Sequence, residues 1–225
     1  MFDFIDSSNL IMYLMRIPCI LIALTVHESA HGYMASKMGD KTAAMMGRIT
    51  LNPLKHLDPL GALCMLLFGF GWAKPVPVMT HNFKNRKWGM ALTALAGPVS
   101  NLLLGFIGMI LFMLFDAFAP ISMNGSIFWA IELFLWVFVS LNVSIAVFNM
   151  IPIPPSDGSR ILFVFLPPKL YFGVMKYERY IMFGFLLLLW SESITKLYII
   201  TGPLSYAVYG IINGMKWLIS LIPGL

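Results

Sequence analysis

The sequence predicts an all-α polytopic membrane protein, a bundle of about four to six transmembrane helices with a re-entrant or interfacial segment and a small β element near the inner face. Three observations carry this. Of 225 residues 59% are hydrophobic and only 11% charged, several apolar runs are too long for the core of a soluble domain, and the lysines and arginines sit beside those runs. That placement is a positive-inside pattern, so the net charge of +5 is read as membrane orientation and nucleic acid is set aside as a partner. No polar stretch is long enough for a separate soluble domain, so residues 1–225 are expected to be one integral-membrane domain, with a core over about residues 10–166 and additional helices over about 177–223.

The first span covers residues 10–37. It is interrupted by Arg16 and Pro18, and at about 1.5 Å per residue it exceeds the roughly 30 Å hydrocarbon core, so it tilts or begins as an interfacial turn. Residues 1–9 carry Asp3 and Asp6 but no basic residue. Lacking the positive region of a cleavable signal, this span is expected to stay in the mature protein. Two basic loops follow, one with Lys37, Lys41, Arg48 and Lys55, the other with Lys74, Lys84, Arg86 and Lys87. The apolar run between them, residues 60–72, is too short to cross comfortably and would put one basic loop outside, so it reads as re-entrant or interfacial. Residues 43–51 suggest a short strand, and the prolines of Ala73-Lys74-Pro75-Val76-Pro77-Val78 keep that segment extended.

The second span, residues 88–115, places Gly97, Asn101 and Gly105 at four-residue intervals on one face, where small residues let another helix come close. Asn101 is a candidate site residue, and an interhelical hydrogen bond explains it equally well. Residues 116–126 have no lysine or arginine and read as the outside. The third span, residues 127–151, carries Glu132 near its outer end and finishes in Asn149-Met150-Ile151-Pro152-Ile153-Pro154-Pro155-Ser156-Asp157-Gly158. Those prolines forbid further helix, and backbone groups freed at that depth imply a water-lined cavity. Arg160, Lys169, Lys176 and Arg179 mark the inside again. Residues 181–190 and 197–222 read as two more helices, separated by Ser191-Glu192-Ser193. Cys19 and Cys64 read as small buried hydrophobes; His56 and His81 read as ordinary surface or interfacial histidines.

The chemistry concentrates in His27-Glu28-Ser29-Ala30-His31. Four residues apart on a helix, the two imidazoles share a face one turn apart and can reach a single Zn²⁺, with Glu28 beside them. A buried polar cluster holding helices together is the rival explanation, but imidazole and carboxylate at membrane depth are costly and mark sites. A catalytic zinc takes three protein ligands, so one more donor is needed. Asp157, followed by Gly158, is the best remaining oxygen donor. With the N-terminus outside, the three spans bring His27, His31 and Asp157 all toward the inner side.

These residues resemble the site-2 protease family of intramembrane zinc metalloproteases, in its compact prokaryotic branch, with no inserted PDZ domain and no C-terminal regulatory domain expected. The resemblance runs to about residue 166, through His27-Glu28-Ser29-Ala30-His31, Gly47-Arg48-Ile49-Thr50-Leu51-Asn52-Pro53, Gly71-Trp72-Ala73-Lys74-Pro75-Val76, Ala96-Gly97-Pro98 with Asn101, and Asn149 with Pro152, Pro154, Asp157 and Gly158. It implies Asp157 as the third zinc ligand and Asn149 as a group steadying the reacting carbonyl. Glu28 would serve as general base to a zinc-activated water, with Asn149 or Asn101 donating to the oxyanion. The implied substrate is a single-span membrane protein in the bilayer, cut within or near its helix and held extended by edge pairing with the strand near Arg48 to Leu51. The implied location is the cell membrane, multi-pass, with the site toward the cytoplasm. Two rivals remain: a membrane metal-ion transporter using the same ligands, and an inactive module that binds helices.

Overall fold

The computed structural model describes residues 7–61, 73–118 and 126–222. Its elements in chain order are α1 (Ser7–Met38), α2 (Thr42–Met45), α3 (Arg86–Phe118), α4 (Ser126–Asn149), α5 (Asp157–Ile161), α6 (Pro168–Met175), α7 (Glu178–Thr195) and α8 (Thr201–Ser220), with short 3-10 turns at Pro53–Lys55, Thr80–Asn82 and Leu162–Val164. By length and composition α3 and residues Ile127–Asn149 of α4 can each cross a membrane, both with a mean hydropathy of 2.1. The re-entrant reading of residues 60–72 falls largely outside the described residues, as do Cys64 and most of residues 116–126, the loop expected to lie outside.

Helices α1, α3 and α4 pack on one another and position everything else. The small face of α3 makes this close packing feasible. A Cβ on Gly105 would lie 3.1 Å from Val143, and one on Gly108 would lie 2.8 Å from Phe138, so α4 rests directly on the α3 backbone. Around that contact Met109, Val139 and Val143 meet Ile212, Met215 and Ile219 of α8 in a buried cluster. Lys216 lays its ammonium over the Phe112 and Trp136 rings, 5.7 and 5.3 Å from their centroids.

Three expectations are corrected. Residues 43–51 form no strand: Met46 and Arg48 donate to Thr42 and Ala43 at 3.1 and 2.9 Å, so the local backbone is consumed in the α2 turn before any ladder can form. Among the described residues the β structure is a single bridge between Leu57 and Ala73, next to which Lys74 N–H donates to the His56 carbonyl at 2.8 Å. His56 is not a surface residue; it is 2% exposed, its Nε2 lying 3.0 Å from the Thr50 carbonyl and 3.4 Å from the Ser29 hydroxyl of α1. The helix expected to end near residue 190 runs on to Thr195. Its end is set by Lys196 in the left-handed region, φ 60°, after which the Glu192 carboxylate accepts the backbone N–H of Ile200 and Thr201 and the Thr201 hydroxyl, starting α8.

Residues 74–79 are extended, as the prolines require, and lie across the C-terminal half of α1, where Val76 N–H meets Glu28. Arg48 donates to the Lys74 carbonyl at 2.7 Å and to that of Pro75 at 3.3 Å. Asp40, fully buried just past the end of α1, accepts from Met79 N–H at 2.6 Å and the Asn82 amide at 2.9 Å.

Candidate metal centre

The α1 helix delivers His27 and His31 on one face, their rings edge-to-face with centroids 4.6 Å apart. Gly97 of α3 lets them stand there: a Cβ on it would fall 2.5 Å from His31 Nε2 and 2.6 Å from His27 Cε1. The third arm comes from the break after α4. There the Ser156 hydroxyl shares its single proton between the Ile151 carbonyl and, at 2.8 Å, that of Ile153, backbone groups that the prolines free. Gly158 packs against the Met150 and Ile151 carbonyls, where a Cβ would lie 2.5 Å from the latter oxygen. This tight return aims Asp157 back at α1.

The result is three convergent ligand atoms. His27 Nε2 and His31 Nε2 are 3.0 Å apart, and Asp157 Oδ2 lies 3.1 and 3.3 Å from them. Four ligands at zinc distances of about 2.0–2.1 Å in a tetrahedron stand roughly 3.3 Å from each other. The observed spacings match that edge length. The proton positions point the same way. His31 Nδ1–H donates to the Thr93 carbonyl at 2.7 Å, which can only accept, and His27 Nδ1–H donates to Asn101 Oδ1 at 2.6 Å. In the neutral imidazoles that a metal requires, both Nε2 atoms then present lone pairs toward a carboxylate oxygen that is itself buried and without a hydrogen-bond partner. Three converging acceptors repel one another unless a cation lies between them. Among the described residues this is the group of His, Cys, Asp or Glu side chains that can hold a metal ion.

Glu28 stands at the edge of this cluster. Its Oε2 accepts the Val76 N–H at 2.8 Å from the extended 74–79 segment, which fixes the carboxylate. Two cavities meet at Glu28, His27 and Asn149. One, about 910 Å³, is largely apolar and runs between α1, α4 and α8 past Trp136, Val147, Phe148, Leu204 and Val208. The other, about 370 Å³, is more polar and holds His31, Asp157, Arg160 and the edge of the 75–78 segment. Asn149 lines both, its amide donating to its own helix at Ile145 with a distance of 3.1 Å. Asn101 lines neither. It is fully buried, and its amide nitrogen donates to the Ala23 carbonyl at 3.1 Å and to Asn142 Oδ1 at 3.0 Å.

The structure thus brings together His27, Glu28, His31, Asp157 and Asn149, and sets Asn101 behind His27. Sequence reading had no hold on the Thr93 carbonyl, the Val76 N–H, Ser156 or Asn142. The first two are backbone groups with no residue signature. Asn142, a lone carboxamide in the most apolar stretch of α4, carried the same signal as Asn101 and could have been found by it.

Two histidines and an aspartate from separate helical segments, an adjacent fixed carboxylate and an open face toward two cavities make the donor set of a metallohydrolase in a membrane-type helical bundle. A family model described as peptidase family M50 matches residues 15–190. The chain belongs to that family, the site-2 protease family of zinc metalloproteases, as the motif resemblance implied. It is 41% identical over 169 residues to the provisionally named zinc metalloprotease YwhC of Bacillus subtilis, covering 75% of this chain and 77% of that protein. It is 34% identical over 155 residues to the provisionally named zinc metalloprotease Rip2 of Mycolicibacterium smegmatis, covering 66% of this chain and 56% of the relative. A third relative, zinc metalloprotease MJ0392 of Methanocaldococcus jannaschii, is 26% identical over 169 residues, 75% of this chain and 39% of that protein. No solved structure gives a significant match. The cofactor is zinc, and the residues that fit it are His27, His31 and Asp157.

Proposed function

We propose that the chain is an intramembrane endopeptidase that hydrolyses peptide bonds within or near the transmembrane helix of single-span membrane proteins, in regulated intramembrane proteolysis. The observation that carries this reading is the position of Glu28, at the junction of an apolar cavity and a polar one, beside the three metal-ligating atoms. The apolar cavity suits the lipid-facing side chains of a substrate segment, and the polar one admits water. Its wall on α4 runs from Trp136 to Asn149, about 20 Å of helix rise, which accommodates some four turns of substrate. A helix hides its scissile carbonyl in its own hydrogen bonds, so the substrate must unwind where it reaches Glu28.

His27, His31 and Asp157 would hold the zinc, which would supply Lewis acidity toward water and the scissile carbonyl. Glu28, oriented by the Val76 N–H, takes the proton from the attacking water and returns it to the leaving amine. Asn149 turns its amide from the Ile145 carbonyl to the developing oxyanion, an interaction of the kind worth about 3 kcal/mol. Asn101, its hydrogen-bonding groups committed to His27, Ala23 and Asn142, orients the ligand instead. Lys37, Lys41, Lys84, Arg86 and Lys87 flank the C-terminal end of α1 and the start of α3, where Lys84 N–H donates to the Met38 carbonyl at 3.1 Å. By the positive-inside bias that end faces the cytoplasm, in a multi-pass cell-membrane protein.

The test is cleavage of a panel of single-span substrates by the purified protein and its Glu28→Gln variant, with zinc measured in both. The variant should keep its zinc and lose cleavage. Undiminished cleavage by Glu28→Gln would remove Glu28 from the reaction, and zinc flux in proteoliposomes without cleavage would favour transport.

A further inference from the structure

Behind the metal ligands runs a buried chain of hydrogen bonds that crosses three helices. It starts at the Phe138 carbonyl on α4, which can only accept, and receives Asn142 Nδ2–H at 2.8 Å. That bond fixes the Asn142 carboxamide with its oxygen outward, and this oxygen accepts from Asn101 Nδ2–H on α3 at 3.0 Å. The other hydrogen of the same nitrogen goes to the Ala23 carbonyl on α1 at 3.1 Å. Asn101 must then present its oxygen to His27, where Nδ1 lies 2.6 Å away. An acceptor there demands a proton on Nδ1, and a neutral imidazole with Nδ1–H has its lone pair on Nε2. Both asparagines are 0% exposed, so no water can substitute for a missing partner.

We infer that Asn142 is a positioning residue of the metal centre: acting through Asn101, it sets the tautomer and ring orientation of His27, and so its competence to bind zinc. This rests on the assignment of His27 as a ligand. The direction of the chain is imposed by its two fixed acceptors, the Ala23 carbonyl at Asn101 and the Phe138 carbonyl at Asn142: reversing the Asn142 amide would set its oxygen against the Phe138 carbonyl and its nitrogen against the Asn101 nitrogen. Asn142 lines neither of the two cavities that meet at Glu28. Histidine ligands are generally held by such outer partners, whose loss typically costs 10–100-fold in metal affinity. Here the partner is itself held by a second amide one helix further out. The fixed carbonyl of Ala23 shares the work of holding Asn101, so losing Asn142 should cost less than losing Asn101.

The experiment uses the full chain in detergent and reads zinc affinity by competition with a chromophoric chelator, together with the absorption spectrum of the cobalt-substituted protein. Neither readout requires proteolysis. Asn142→Val, close in size but without hydrogen bonds, should weaken zinc binding by roughly 3–10-fold and shift the cobalt spectrum. Asn101→Val should weaken it by about 10–100-fold. Asn142→Asp, which keeps an acceptor toward Asn101, should bind within about threefold of the parent. The double variant should bind zinc no more weakly than Asn101→Val alone, because Asn142 acts only through Asn101. Parent-like affinity and spectrum in Asn142→Val, or losses that add in the double variant, would overturn the relay and reduce Asn142 to helix packing. Should Asn142→Val fail to fold, Asn142→Ala carries the same comparison. A parent protein that binds no zinc would sink the metal assignment itself, whereas zinc binding that ignores Asn142 sinks the relay alone.

Discussion

Gly97→Ala tests the centre at its tightest point. The added Cβ would stand 2.5 Å from His31 Cε1 and Nε2 and 2.6 Å from His27 Cε1, whereas ordinary contact begins at 3.4 Å. The overlap of about 0.9 Å cannot be absorbed by a flexible chain end, since the atoms met are rings pinned at Nδ1 by Thr93 and Asn101. Ligand distances tolerate only about 0.2 Å, so either both imidazoles swing out of the tetrahedron or α3 retreats from α1. In the metal-free protein the cost is small. Overpacking by a methyl costs about 1–3 kcal/mol, and replacing glycine by alanine inside a helix returns about 1 kcal/mol. The expected phenotype is therefore a folded protein with a zinc affinity at least about 100-fold lower, some 2.7 kcal/mol. Zinc content after dialysis against graded chelator, with thermal unfolding recorded with and without metal, measures both. Gly184→Ala, in α7 with open space around its Cβ, is the control and should raise stability slightly without touching zinc. Parent-like zinc affinity in Gly97→Ala would refute the placement of both imidazoles against α3.

Gly158→Ala should fail differently, because its Cβ meets the backbone carbonyls of Met150 and Ile151 rather than side chains; the turn must open and carry Asp157 away, so zinc retention falls and is not restored by excess metal at ordinary stability. The Asp40 carboxyl supplies a pH prediction. Burial raises its pKa, but hydrogen bonds from Asn82, Thr42 and the Met79 N–H outweigh that and hold it below the ordinary 3.8. Its stabilising contribution is thus complete above about pH 4 and disappears as pH falls through the lower folded value. Amide-exchange protection in residues 76–82, taken relative to the intrinsic rate at each pH, should be flat from neutrality to that point and fall below it, and Asp40→Ala should show the lowered protection already at pH 7.

The features legible in the sequence are those whose physics is local. The i, i+4 spacing puts His27 and His31 on one face whatever surrounds them, and four-residue spacing of Gly97, Asn101 and Gly105 makes a close-packing face on any helix. Prolines at 152, 154 and 155 end α4 regardless of context. The expected strand at residues 43–51 failed because local composition there suits a turn as well as a strand, and the backbone found its partners within the α2 turn. His56 was misjudged for a related reason: a loop residue's burial depends on what the loop packs against, here α1, and no periodicity encodes that.

By itself the sequence determined an apolar helical chain, a metal-binding pair with a carboxylate beside it, and a helix broken where another donor follows. Only the tertiary structure decided which groups complete the centre. The Val76 N–H that fixes Glu28, the Thr93 carbonyl behind His31 and the Asn142–Asn101 pair behind His27 come from segments tens of residues away. Hydrogen bonds of this kind depend on side-chain direction across packed helices, which is fixed when small faces such as that of α3 let three backbones close on one another, and by nothing in the spacing of any one of them.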